Sequence, residues 1–256
     1  MIGPDPDLDL HFAGPLLVQL AALGSSGRRP VVGLNGPVGA GKTTLSRLLL
    51  QRAAAQGLRL AVASIDDFYL PWEARLGALA GNPFGVTRVL PGSHDIPLAL
   101  ACLDSWQQGG SLRLPRFDKS LLRGQGDRAG EQLVEADVLL LEGWLLGCQP
   151  LARQRSPWDG ALLAYLPLWR RFSQLHVLRP LRWTLPRRWR FQAEARQRKQ
   201  GQAWLPAEEL DKVVNASLGS LPPELYQDPL INQATGYAIL DGRRRWVGGS
   251  RSDEAG

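Results

Sequence analysis

Residues 36–43 read Gly-Pro-Val-Gly-Ala-Gly-Lys-Thr, the pattern G-x-x-x-x-G-K-[ST]. The apolar run Val31, Val32, Leu34 precedes it, and helically spaced apolar residues from Thr43 to Gln56 follow, stopped by Gly57. A strand, a glycine-rich turn and a helix in that order make an anion cradle. The glycines let successive N–H groups turn inward, and the helix start adds its positive dipole end. The cradle comprises Gly36, Pro37, Val38, Gly39, Ala40, Gly41, Lys42, Thr43 and Thr44, and points to a nucleoside triphosphate. Lys42 is expected on the β- and γ-phosphates and the Thr43 hydroxyl on Mg²⁺, so ATP and Mg²⁺ are the expected cofactors.

The rest of the chain reads as further strands alternating with helices. Leu60–Ile65, Ser111–Pro115, Ala136–Leu141, Gln174–Leu178 and Tyr237–Leu240 are strand-like. Asp95 suits a helix N-cap, and the helix would end at Gly109 and Gly110. Helices are also expected after Pro186 and over Ala207–Asn215, with residues 71–94 irregular apart from one helical turn. This alternation predicts an α/β fold with a doubly wound, mostly parallel sheet, helices on both faces and a helical lid. The boundaries read as a peripheral helix and linker over 1–29, a domain over 30–242 with its lid at about 182–203, and a tail over 243–256.

Composition removes several classes. With 44% apolar residues in 256, the chain has enough material for a core and is not disordered. No apolar run approaches the roughly 20 residues of a membrane helix, so no membrane partner is expected. The acidic start MIGPDPDLD has no basic leader region, and Cys102 and Cys148 match no metal-ligand spacing. A cytoplasmic location is expected. The N-K-x-D motif by which GTPases read their base is absent.

The net charge of +6 is concentrated. Residues 170–199 hold ten of the 30 basic residues against one acid, Glu194, leaving 20 basic and 23 acidic residues elsewhere. Such a segment suits nucleic acid, with Trp183 and Trp189 as stacking rings, or a phosphate-rich small ligand. Carboxylates mark the chemistry. Asp66 and Asp67 follow the second strand directly, and Glu142 ends Ala-Asp-Val-Leu-Leu-Leu, where a metal-holding acid would sit. One aspartate can face the terminal phosphate and take a hydroxyl proton. Its neighbour points elsewhere, toward metal or substrate or into the scaffold.

Together, GPVGAGKTT (36–44), SIDDFYLP (64–71), PGSHD (91–95), PRFDKS (115–120), GQGDRA (124–129), EGWLLG (142–147) and WRFQAE (189–194) resemble the plant-type D-glycerate 3-kinase family. That family lies in the P-loop kinase group with uridine kinase, phosphoribulokinase and pantothenate kinase. The resemblance implies phosphorylation of the 3-hydroxyl of D-glycerate, giving 3-phosphoglycerate and ADP, with Asp66 as base. It implies Arg190 as a lid arginine on the transferring phosphoryl group. It places Asp67, Tyr69, His94, Asp95, Arg116, Asp118, Lys119, Arg123 and Arg128 toward the substrate, and Thr43 and Glu142 toward the metal. No nucleic-acid partner is expected, and the sequence fixes no oligomeric state. The departures are Ser93 for a usual Thr, Phe117 for a Tyr and Val89 for a Gly. The alternatives are a kinase of another small hydroxylated metabolite, uridine or pantothenate kinase-like, and a nucleic-acid-stimulated NTPase.

Overall fold

Residues 5–153, 156–201 and 204–250 are described by a computed structural model of the chain. The expected boundaries at 1–4, 202–203 and 251–256 lie outside them.

Four hydrophobic runs become the parallel body of the sheet. β1 (Val31–Asn35), β2 (Leu60–Ser64), β5 (Val138–Gly143) and β6 (Phe172–Pro180) lie parallel, and β7 (Gly236–Leu240) extends them. β8 (Trp246–Ser250) closes the edge antiparallel, giving the order β2-β5-β1-β6-β7-β8. β1 and β5 are buried along their whole length because both sheet faces are covered. Neighbouring residues part to opposite sides: Val31, Leu139 and Leu141 join one core, and Val32, Val138 and Leu140 the other.

The helix α1 (Gly14–Gly24) and the wide π turn before it (Asp9–Ala13) correct the first expectation. The segment is not peripheral. Phe12, Leu16, Leu17 and Leu20 are buried against α2 (Lys42–Ala55), β1 and Trp189. Residues 243–250 of the expected tail are likewise structured, since β8 belongs to the sheet. The Asp5 carboxylate accepts from the Trp246 N–H, and His11 stacks on the Trp246 indole at 4.3 Å.

The opposite face is covered by α4 (Ile96–Gln107), which presents Ala99, Leu103 and Trp106 to the core and is capped by Asp95. Residues 71–94 contain α3 (Trp72–Ala78), longer than the single turn expected. β3 (Leu112–Asp118) pairs with β4 (Asp127–Val134) in an antiparallel ribbon outside the main sheet. The later part of the basic segment forms α5 (Leu185–Lys199), which packs beside α6 (Ala207–Ser220).

Register brings the chemistry to one edge. Ser64 and Leu34 both pair with Glu142, and the Gly36 N–H donates to Gly143 at 3.1 Å. The ends of β1, β2 and β5 therefore deliver the glycine turn, Asp66 and Glu142 side by side.

Candidate active site

The glycine turn has the conformation its residues allow. Gly39 and Gly41 have φ of 77° and 97°, a region that side chains disfavour. Gly39 is also packed: a Cβ there would lie 2.7 Å from the Arg190 backbone nitrogen. The lid helix α5 thus rests directly on the loop. Lys42 Nζ donates to the Gly36 carbonyl at 2.7 Å and the Pro37 carbonyl at 3.2 Å, and lies 3.8 Å from Glu142. Burial lowers the Lys42 pKa, and the charges of Glu142 and Asp66 oppose that shift. The Thr43 hydroxyl donates to Glu142 at 3.2 Å. A hydroxyl and a carboxylate so placed suit Mg²⁺, which takes few protein oxygens and keeps waters and phosphates.

Asp66 is fixed by a 3₁₀ turn over Ile65–Phe68, where the Ser64 hydroxyl accepts from the Asp66 N–H. Lys119, at the tip of the β3–β4 ribbon, donates to Asp66 Oδ2 at 2.7 Å, and Tyr69 hydrogen-bonds the same carboxylate. Burial alone would raise the Asp66 pKa. Lys119 above all, with Tyr69, overcomes that and holds the carboxyl well below the usual range. It is therefore ionised at any physiological pH.

His94 is buried and stacks on Tyr69 at 4.5 Å, with Nδ1 2.7 Å from the Tyr165 hydroxyl. Desolvation pushes its pKa down to about 4, so it is neutral at pH 7. Arg128 donates to the Tyr69 carbonyl and to Asp95, whose other oxygen caps α4. Beneath them lies Arg75, fully buried among Tyr69, Trp72 and Phe117. Its guanidinium donates to the carbonyls of Leu70, Gln125 and Gly126 and shapes the ribbon turn.

Other residues expected on the substrate are used differently. Asp67 completes a capping box, accepting from the Ser64 N–H at 3.0 Å and also from the Phe117 backbone. Asp118 accepts from the Ser120 N–H and hydroxyl and closes a local turn. Arg116 is exposed and lines a hollow with Val62, Asp67, Leu114, Pro115 and Gln132, whose walls include neither Asp66 nor Lys42. Arg123 is exposed, with φ 58°, in the turn between β3 and β4. Asp66, Tyr69, His94, Asp95, Lys119 and Arg128 are the members of the expected set that come together.

On the lid, Arg187 and Arg188 are exposed, whereas Arg190 is half-buried, pairs with Glu194 at 2.8 Å and lies near enough to Lys42 to lower its pKa. Trp189 is fully buried and donates to Gly242. Sequence reading missed Arg244. From the β7–β8 turn it donates to the Gly39 carbonyl at 2.7 Å and the Trp189 carbonyl at 2.9 Å, with its guanidinium 5.4 Å from the Trp189 ring. One side chain ties the glycine turn, the lid and the last strands. Its position depends on tertiary structure, and the Asp-Gly-Arg-Arg-Arg run around it gave no signal beyond a turn.

The parallel sheet, glycine cradle, strand-end acids and arginine-bearing lid are those of a P-loop kinase. No protein-family model matches the chain. It is 32% identical over 222 residues to the chloroplastic D-glycerate 3-kinase of Arabidopsis thaliana, covering 77% of this chain and 49% of that protein, so it spans about half the plant relative's length. It is 30% identical over 196 residues to an uncharacterized kinase of Schizosaccharomyces pombe, covering 66% of this chain and 71% of that protein. A solved D-glycerate 3-kinase from Cryptococcus neoformans superposes with a TM-score of 0.79 at 29% identity, over 93% of this chain and 97% of that one. The chain belongs to the plant-type D-glycerate 3-kinase family of P-loop kinases.

Proposed function

We propose that the protein is an ATP-dependent kinase that phosphorylates the 3-hydroxyl of D-glycerate, producing 3-phosphoglycerate and ADP. The observation that carries this reading is the position of Asp66. It follows the strand whose last residue pairs with Glu142, is held by Lys119 and Tyr69, and is electrostatically coupled to Lys42. A small alcohol between Asp66 and the phosphate end of the cradle has a proton acceptor on one side and an electrophile on the other.

The loop N–H groups and Lys42 would hold the phosphates of ATP. Thr43 and Glu142 would hold Mg²⁺, which neutralises phosphate charge when bound. Asp66 orients the acceptor hydroxyl and takes its proton as the oxygen bonds to the γ-phosphorus and the bond to ADP breaks. A carboxylate of low pKa is a weak base. The transition state is loose, so orientation counts for more than early proton removal. Arg190, released from Glu194, would meet charge on the transferring oxygens. Lid closure over the cradle keeps water from competing as acceptor.

A small-molecule acceptor, acting without nucleic acid or membrane, is part of this reading. Burial of Trp189 supports it by removing one stacking ring that the nucleic-acid alternative required. Among the described residues no helix is long and apolar enough to cross a membrane. The cytoplasmic location stays part of the proposal. The test is ADP release with D-glycerate, L-glycerate, uridine, pantothenate, RNA, DNA or no acceptor, with products identified by phosphorus NMR and mass. 3-Phosphoglycerate from D-glycerate is expected. Turnover raised by polynucleotide with no phosphorylated acid would overturn the reading.

A further inference from the structure

The cations around Asp66 are nearly all answered. Lys119 pairs with Asp66, Arg128 with Asp95 and Arg190 with Glu194. Arg75 has no carboxylate either; three backbone carbonyls accept from its two terminal nitrogens, aromatic rings enclose it, and its Nε is buried without a partner. Arg88 differs. It is 8% exposed, and among the described residues its one partner is the Gln125 carbonyl at 3.2 Å. A guanidinium has five N–H donors, and burying it without a counter-charge is costly. Its charge reaches the Tyr69 phenol, which touches Asp66.

A second unanswered donor follows in the same segment of chain. The Tyr165 hydroxyl accepts from the Gly92 N–H at 2.9 Å, so its proton is free for His94 Nδ1 at 2.7 Å. Nδ1 is thus the acceptor, and the neutral ring carries its proton on Nε2. That Nε2 is buried with no partner.

The backbone between the two is strained into place. Val89 sits at φ 81°, where a β-branched residue is an outlier, and its N–H donates to the Tyr69 hydroxyl at 3.1 Å. Strain of this kind persists where surrounding structure overdetermines it, often at ligand clamps. The unpartnered donors of Arg88 and the buried His94 Nε2–H suit an anionic ligand rich in acceptors.

Given the kinase reading above, on which this rests, we propose that Arg88 binds the carboxylate of the acceptor and that the His94 Nε2–H donates to an oxygen beside it. The acceptor is then a small hydroxy acid, and Arg88 is the residue that distinguishes it from a neutral alcohol. A fork of two parallel N–H bonds matches a carboxylate and is lost on a neutral amide.

The experiment compares D-glycerate with D-glyceramide as acceptors for the wild type, Arg88→Gln and Arg88→Lys. Thermal melts establish folding of each variant. The wild type is expected to favour the acid by about 100-fold in kcat/KM, as sites built around charged hydrogen bonds do. In Arg88→Gln the preference is expected to fall to within about threefold, chiefly through KM for the acid, with KM for ATP within about twofold. Arg88→Lys keeps charge without the fork and should lie between; it decides the matter if Arg88→Gln does not fold. Full preference for the acid in a folded variant overturns the assignment of Arg88 while glycerate phosphorylation stands. If the wild type phosphorylates a different hydroxy acid, the glycerate reading falls and the same ratio on that acid and its amide tests Arg88. Turnover with neutral acceptors alone overturns both.

Discussion

Mild acid should destabilise this protein through two buried imidazoles. His94 and His176 are 5% and 2% exposed, and desolvation lowers each pKa from 6.5 to about 4. Unfolding exposes both rings to water, where they bind protons at the higher pKa. Below about pH 6.5 the unfolded chain therefore takes up protons that the folded chain refuses, and stability falls until the pH reaches the folded value near 4. Each shift carries roughly 1.4 kcal/mol per pH unit once the unfolded ring is charged. Between pH 7 and pH 5 each histidine thus removes about 2 kcal/mol, and together about 4 kcal/mol, a large part of an ordinary domain's stability. His176 lies on β6, its Nε2 3.2 Å from Gln174 Oε1 and its ring edge-on to Phe12, and belongs to no part of the site. Replacing it isolates one titration. Urea unfolding at pH 7 and pH 5 should show His176→Gln losing about 2 kcal/mol less than the wild type over that interval, with unchanged m. Equal losses in the two proteins would refute the argument.

Asp66→Asn should cut kcat by about 10²- to 10⁴-fold while nucleotide affinity stays within about threefold, read by steady-state kinetics and calorimetry; wild-type turnover would remove Asp66 from its role. Arg244→Ala frees the glycine turn from the lid, and KM for ATP should rise about tenfold while KM for the acceptor moves less than twofold. An equal rise in both would mean general loosening. Val138→Gly removes a fully buried side chain and should cost about 3–4 kcal/mol from lost burial and added chain freedom. Val89→Gly makes the same deletion but relieves about 1–3 kcal/mol of left-handed strain, so its cost by urea midpoint should be smaller by roughly that amount.

The parts of this fold legible in the sequence are those with both faces or one whole stripe buried. Val31–Leu34, Leu60–Ile65 and Ala136–Leu141 are apolar because helices cover both sides of their sheet, and the strands found there are β1, β2 and β5. β4 carries no strand signal in the sequence because it is mostly exposed: Asp-Arg-Ala-Gly-Glu-Gln-Leu-Val pairs only with β3 and lacks apolar alternation. The segment before β1 looked detached because one short helix, taken alone, does not reveal which surface it covers. Within the site, glycine spacing and strand-end acids were legible since strand ends fix where they point. Arg116, Arg123 and Arg128 were indistinguishable in sequence; only Arg128 finds Asp95 and Tyr69, because ribbon twist and the turn held by Arg75 decide which guanidinium faces inward. Val89 was the informative departure. A position where glycine is usual takes a positive φ here, so the substitution exchanged backbone ease for a buried side chain.

The ribbon of β3 and β4 has a longer-range consequence. It hydrogen-bonds to none of the six strands that build the nucleotide cradle, yet its tip supplies the lysine that grips Asp66. Residues along it can drift, lengthen or be exchanged without touching the register that aligns Gly36 with Gly143. One grip on Asp66 thus sits on a piece of chain that can vary apart from the strands that carry the cradle.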